Sequence, residues 1–246
     1  MKPEYDPDGY RRDGPDFTGE PLHAKLTETW RDGPGLLGWI RSVDHKSIGR
    51  RYLVTALVFL ALGGVLAALM RLQLSGAERE IIGPDRYNQI FTMHGTTMMF
   101  LFAVPVMDAM AIYLVPLMLG TRNMAFPRLN AFSYFMYLAG GILLWVAFML
   151  NVGPDAGWFA YVPLSGPEFS PGKRTDIWAQ MVTFTEVAAL AVAVSMTATI
   201  LKKRAPGMTL ARMPLYVWEI LDFLEVATDR CEDVANVLEG VVVKHA

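Results

Sequence analysis

A single cysteine, Cys231, among 246 residues rules out an internal disulfide framework and any zinc or iron–sulfur centre built from cysteines. Charge is scarce as well. Asp, Glu, Lys and Arg make up 19% of the chain, and the formal balance of −2 leaves no basic excess to attract nucleic acid. Histidine is rarer still, with only His23, His45, His94 and His245. The opening stretch MKPEYDPDGYRRDGPDFTGEP has no charged start followed by an apolar run, so it does not read as a signal peptide. Rich in Pro and Gly, 1–44 is expected to be a polar cytoplasmic segment without fixed structure. A short interfacial piece, GLLGWIRSV (35–43), falls near its end.

Apolar side chains make up the balance. They account for 53% of the residues, which points to an integral membrane protein. Four stretches meet the length needed to cross a bilayer, at about 52–70, 88–119, 131–152 and 177–201. Only Asp108 and Glu186 interrupt them with charge. Lys46, Arg50 and Arg51, then Arg122 and Arg128, then Lys202, Lys203, Arg204 and Arg212 all fall on one side. That bias favours both termini in the cytoplasm of a multi-pass protein. The loop 151–176, with its Gly, Pro and aromatic residues, then lies outside, and its length is typical of a functional or packed loop.

The C-terminal stretch departs from this pattern. Ile220, Leu224, Ala227, Cys231, Val234, Leu238 and Val241 recur at alternating spacings of four and three, the seam of an amphipathic helix. Asp222, Glu225, Asp229, Glu232, Asn236 and Glu239 run parallel to it. So many acids exclude a fifth span, and 220–246 reads as an appended soluble helix.

His94 lies a few residues inside the second span. A neutral imidazole in hydrocarbon suits a haem iron, and equally suits a bond across the bundle to a Ser, a Thr or a backbone carbonyl. Arg71, at the outer end of the first span, lies on a neighbouring helix. It could donate to a polar substituent of a cofactor or simply snorkel to the interface. Asp108 and Glu186 fit proton-relay carboxylates or structural acids. The methionines of the second span, Met93, Met98, Met99, Met107, Met110 and Met118, read as core filler and not as copper ligands.

In order along the chain, DHKSIGRRYL, MHGTTMMFLFAVPVM, YLVPLMLGTRNMAFPRLNAFSY, GWFAYVPLSG and PLYVW resemble subunit I of haem–copper terminal oxidases, bacterial cytochrome c oxidases of the caa3 kind above all. The resemblance covers about 44–218. It implies an all-α polytopic fold: four transmembrane helices of a truncated twelve-helix subunit I, in a bacterial inner membrane. It implies His94 as an axial ligand of a low-spin, a-type haem and Arg71 as a partner of that haem's ring substituent. Trp158 and Tyr161 match a loop over the haem propionates, and Asn130 matches a proton-channel residue. Other oxidase subunits, cytochrome c and membrane lipid follow as partners. Asn123 and Ile112 depart from the family, where a channel aspartate and a channel asparagine are usual, so a proton path through them is in doubt.

The second haem ligand, the high-spin haem ligand and the copper-binding histidines belong to later spans in that family. By the resemblance, the chain therefore carries half a haem site and no copper site. The tail resembles the C-terminal helix of PhoU-like phosphate-transport regulators, which would make Glu225, Asp229, Glu232 and Asp233 candidate metal ligands, against the plainer reading of a solvated acidic face. The expected function is a fragment of the catalytic subunit of a respiratory oxidase. The alternatives are a membrane-anchored scaffold presenting an acidic helix, or a chimaeric product joined near 219–222.

Overall fold

The computed structural model describes residues 33–76 and 81–220, with the isolated positions 24, 28 and 222. Most of the polar N-terminal segment and all of the acidic tail but Ile220 and Asp222, including Glu225, Asp229, Glu232 and Asp233, lie outside the described residues. Two compact units separate between Ser42 and Val43. In the first, helix α1 (Gly35–Arg41) leaves Leu37, Trp39 and Ile40 exposed.

No strand occurs among the described residues of the second unit, and four of its helices are long and apolar enough to cross a membrane. They are α2 (His45–Gln73), α3 (Pro84–Met118), α4 (Pro127–Met149) and α5 (Arg174–Lys202). Asp44 caps α2 by accepting from the Ser47 amide at 3.1 Å. Pro84 and Pro127 open α3 and α4, where no intrahelical donor is needed.

In lipid no solvent-driven collapse holds helices together, so association depends on close approach and interhelical bonds. Small residues supply the approach. A Cβ on Gly141 of α4 would lie 2.5 Å from the Phe59 ring of α2, and one on Gly140 would lie 3.0 Å from Phe184 Cβ of α5. A Cβ on Gly49 of α2 would meet the Ala109 carbonyl and Tyr113 Cβ of α3, each at 3.0 Å. Hydroxyls supply the bonds. Tyr52 donates to Ser133 Oγ at 2.9 Å, Ser133 donates to the Asn130 carbonyl at 2.7 Å, and the Tyr52 and Tyr137 rings stack at 5.2 Å.

The α-helical ladder of α3 gives way to π-helix at Thr97–Ala103. Pro105 has no N–H, so the Leu101 carbonyl four residues earlier loses its α-helical donor. Tyr137 of α4 takes that place, donating to Leu101 O at 2.7 Å. The Val104 amide reaches back five residues to Met99 O. Below, Val104–Met118 resumes as α-helix.

The third span ends before the expected 152. Asn151 takes a left-handed conformation (φ 63°) just after Met149, and the Val152 amide turns back to Ala147 O at 2.9 Å. This closure satisfies carbonyls of the last turn and stops the helix. The methionines of α3 divide: Met93 is fully buried, whereas Met99, Met107 and Met110 are exposed, so core filling describes only some of them.

Candidate functional site at the His94 end of the bundle

His94 is half-buried on the first part of α3, and its Nδ1 lies 3.0 Å from the Gly63 carbonyl of α2. A carbonyl only accepts, so Nδ1 must carry the proton. The lone pair is then on Nε2, which no described residue bonds. The two readings of His94 as cross-bundle partner and as metal ligand are thus compatible. One nitrogen does each job, and the hydrogen bond to Nδ1 fixes the ring orientation of a metal-ligating imidazole.

Gly63 suits this role because it has no side chain to fill the contact. A Cβ there would come within 2.9 Å of Met98 Sδ. His94 and Gly63 are level, so Arg71 lies about 12 Å further along α2 by helical rise. Arg71 is exposed.

A loop closes this end. Arg86 Nη1 donates to Gln89 Oε1 and the Phe148 carbonyl, each at 3.1 Å, and to Asn151 Oδ1 at 3.3 Å; its guanidinium also lies 4.0 Å from the Phe148 ring centroid. Gln89 Nε2 donates to Asn151 Oδ1 at 3.3 Å. Six residues on, the Gly157 amide donates to Thr92 Oγ1 at 2.9 Å. Trp158 then packs against Gly95, where a Cβ would be 2.9 Å from both Trp158 Cβ and Cδ1. Arg86, Gln89, Thr92 and Gly95 step along α3 at three-residue intervals, forming a stripe that the loop follows. Tyr161, 65% exposed and 4.6 Å from the Phe159 ring, does not join the stripe.

The loop is also tied to itself. Asp155 accepts from Ser170 and from Arg174, and Thr175 donates to the Ser165 carbonyl at 3.0 Å. Gly63, Thr92, Gly95 and this Asp155 cluster were not singled out from sequence. The glycine directly after His94 was the one available hint.

The remaining positions lie towards the other end. Asn130 is fully buried, and neither of its amide atoms has a hydrogen-bond partner among the described residues. Buried amides are nearly always satisfied, so a water or an additional polar group belongs there. Asn123 is a structural clip: Nδ2 donates to the Val43 carbonyl at 3.1 Å, and Oδ1 accepts from the Met124 amide at 2.8 Å. An aspartate could make only the second bond. Ile112 is fully buried in the apolar core. Asp108 is half-buried, within electrostatic range of the Tyr52 and Tyr137 hydroxyls, and Glu186 is exposed on α5. Among the described residues no three His, Cys, Asp or Glu side chains cluster as a metal site.

The chain matches the family model "Cytochrome C and Quinol oxidase polypeptide I" over residues 47–227, a match that runs past 218 into the start of the tail. It is 45% identical over 190 residues to a putative cytochrome c oxidase subunit 1-beta of Streptomyces coelicolor, covering 77% of this chain and 33% of that protein. It is 39% identical over 189 residues to cytochrome c oxidase subunit 1 of Corynebacterium glutamicum, covering 76% and 32%. Quinol oxidase subunit 1 of Bacillus spizizenii is 37% identical over 183 residues, covering 74% and 28%. The chain thus spans about a third of the length of these relatives. With four apolar helices in the arrangement described and a family match across most of its length, the chain is a membrane-integral protein that belongs to the family of cytochrome c and quinol oxidase polypeptide I.

Proposed function

We propose that this chain is the part of a respiratory oxidase subunit I that holds one side of a low-spin haem. The observation that carries the reading is the His94 Nδ1–Gly63 carbonyl bond, which leaves Nε2 as a neutral, oriented donor. Haem ligated on both faces would supply one-electron transfer, with no coordination position open to substrate. The chain's own residues hold and cover it. His94 would ligate the haem iron through Nε2, Arg71 would donate to a ring substituent, and Trp158 and Tyr161 would lie over the propionates. The only other histidine among the described residues, His45, lies at the opposite end of α2, about 27 Å from the level of Gly63 by helical rise. The second axial ligand therefore comes from outside the described residues, which supply half of the site.

In the complete assembly the reaction is electron transfer from cytochrome c to oxygen with proton translocation, alongside other oxidase subunits. Asn130, whose buried amide atoms have no partner among the described residues, would order water on a proton path. Ile112 and Asn123 offer none of the usual channel chemistry, so protons would bypass them. The bias of the basic loops favours both termini in the cytoplasm and the His94 end outside.

Absorbance spectra of the detergent-purified oxidase complex that contains the chain test the reading. The expected result is the band pattern of a low-spin haem, with near-complete loss in His94→Ala. Folded protein with no haem would overturn it and turn attention to the scaffold reading, in which 220–246 binds a soluble partner.

A further inference from the structure

The first part of α3, Pro84–Thr96, is joined to the rest of the helix through the π-helical stretch Thr97–Ala103. A π-helical stretch has poorer local geometry than the α-helix on either side and often marks a functional junction. Besides the continuous helix, contacts from outside hold Pro84–Thr96 in place. On one side it is held by the Gly63 carbonyl on His94. On the other it is held by the loop, through Arg86 and Gln89 to Asn151, Thr92 to Gly157, and Gly95 to Trp158.

The loop in turn depends on Asp155, two residues before Gly157. Asp155 draws in Ser170, which is only 3% exposed, and Arg174 at the start of α5. These bonds close the loop onto the helix that follows it. The other ties within the loop, Thr175 on the Ser165 carbonyl and the backbone turns of 157–170, do not involve the stretch between Asn151 and Gly157 beyond its end.

We infer that Asp155, acting through Ser170 and Arg174, is a positioning residue for His94: it clamps the 151–173 loop onto Pro84–Thr96 and so keeps the imidazole against Gly63 with Nε2 free. The inference rests on the haem reading for its purpose, but not for its test. Asp155 touches no cofactor. It acts by holding Trp158 on Gly95, the residue next to His94.

The full chain, labelled with ¹⁵N-histidine and reconstituted in lipid nanodiscs without haem, provides the test. In the native sequence His94, identified by its loss in His94→Ala, should show a single Nδ1-protonated tautomer. In Asp155→Ala the tautomers should mix, and the Gly157 amide should exchange about tenfold faster, the effect expected for losing a charge-assisted bond that guards it. Asp155→Asn, which keeps a partner for Ser170 but loses the ion pair, should fall between the two.

A simple loop anchor would speed exchange at Gly157 and leave the His94 signals unchanged; that result overturns the inference, as does unchanged exchange. Should Asp155→Ala fail to fold, Ser170→Ala and Asp155→Asn decide by the same two readings. Absence of low-spin haem from the oxidase complex that contains the native chain would defeat the proposed function, while the tautomer result would still stand on its own.

Discussion

The two parts of α3 are held in different ways. Pro84–Thr96 is polar, and hydrogen bonds fix it: Arg86, Gln89, Thr92 and His94 each reach a partner on another element. Val104–Met118 is apolar, and contact distance fixes it, with Gly49 of α2 drawn against Ala109 and Tyr113. Between them lies the π-helical turn, with Tyr137 bonded to the carbonyl that Pro105 cannot serve. Hydrogen bonds specify orientation, whereas close packing specifies distance. The part that must aim an imidazole is the bonded one, and the part that must only stay in place is the packed one.

This contrast can be broken by substitution, and the largest effect should come from volume in the packed part. Gly49→Val pushes a branched side chain into backbone and should cost about 3 kcal/mol in detergent unfolding, at the upper end for overpacking. A mild result there would show that Val104–Met118 is not held by contact. In the bonded part, Arg86→Ala removes a cation with several acceptors and should cost about 2 kcal/mol. Thr92→Val keeps the shape but deletes the acceptor for Gly157, and about 1 kcal/mol is expected, with faster exchange at that amide as the specific sign.

Asp108→Leu should have the smallest effect. No described residue hydrogen-bonds this carboxyl, so its replacement by an apolar group should leave stability within about 0.5 kcal/mol of the native chain. A larger loss would place a bonding partner for Asp108 outside the described residues.

The sequence disclosed much of the fold. Four apolar lengths marked four helices, because only a helix or a closed barrel satisfies its backbone inside hydrocarbon. His94 was visible because an ionisable group in such a helix is costly. Its acceptor was not, since every residue has a carbonyl and only the packing of α2 selects Gly63. The Asp155–Arg174 pair joins positions 19 residues apart across an irregular loop, where no periodicity predicts contact. The end of α4 was misjudged by three residues because apolar character continues through Leu150 and Val152. Asn151, between them, was the available signal.

The π-helical turn makes the chain sensitive to length as well as to composition. Such a turn accommodates a surplus residue within an α-helical ladder. Deleting one residue from 97–103 would let the ladder close as ordinary α-helix with both flanks facing nearly as before, whereas inserting one residue beside it, with no second bulge to absorb it, would rotate everything before that point by about 100° relative to everything after. Val104–Met118, wedged against α2, would stay where it is. His94 would swing off the Gly63 side, and the stripe from Arg86 to Gly95 would turn away from its loop. A change that removes no functional side chain would thereby dismantle the site.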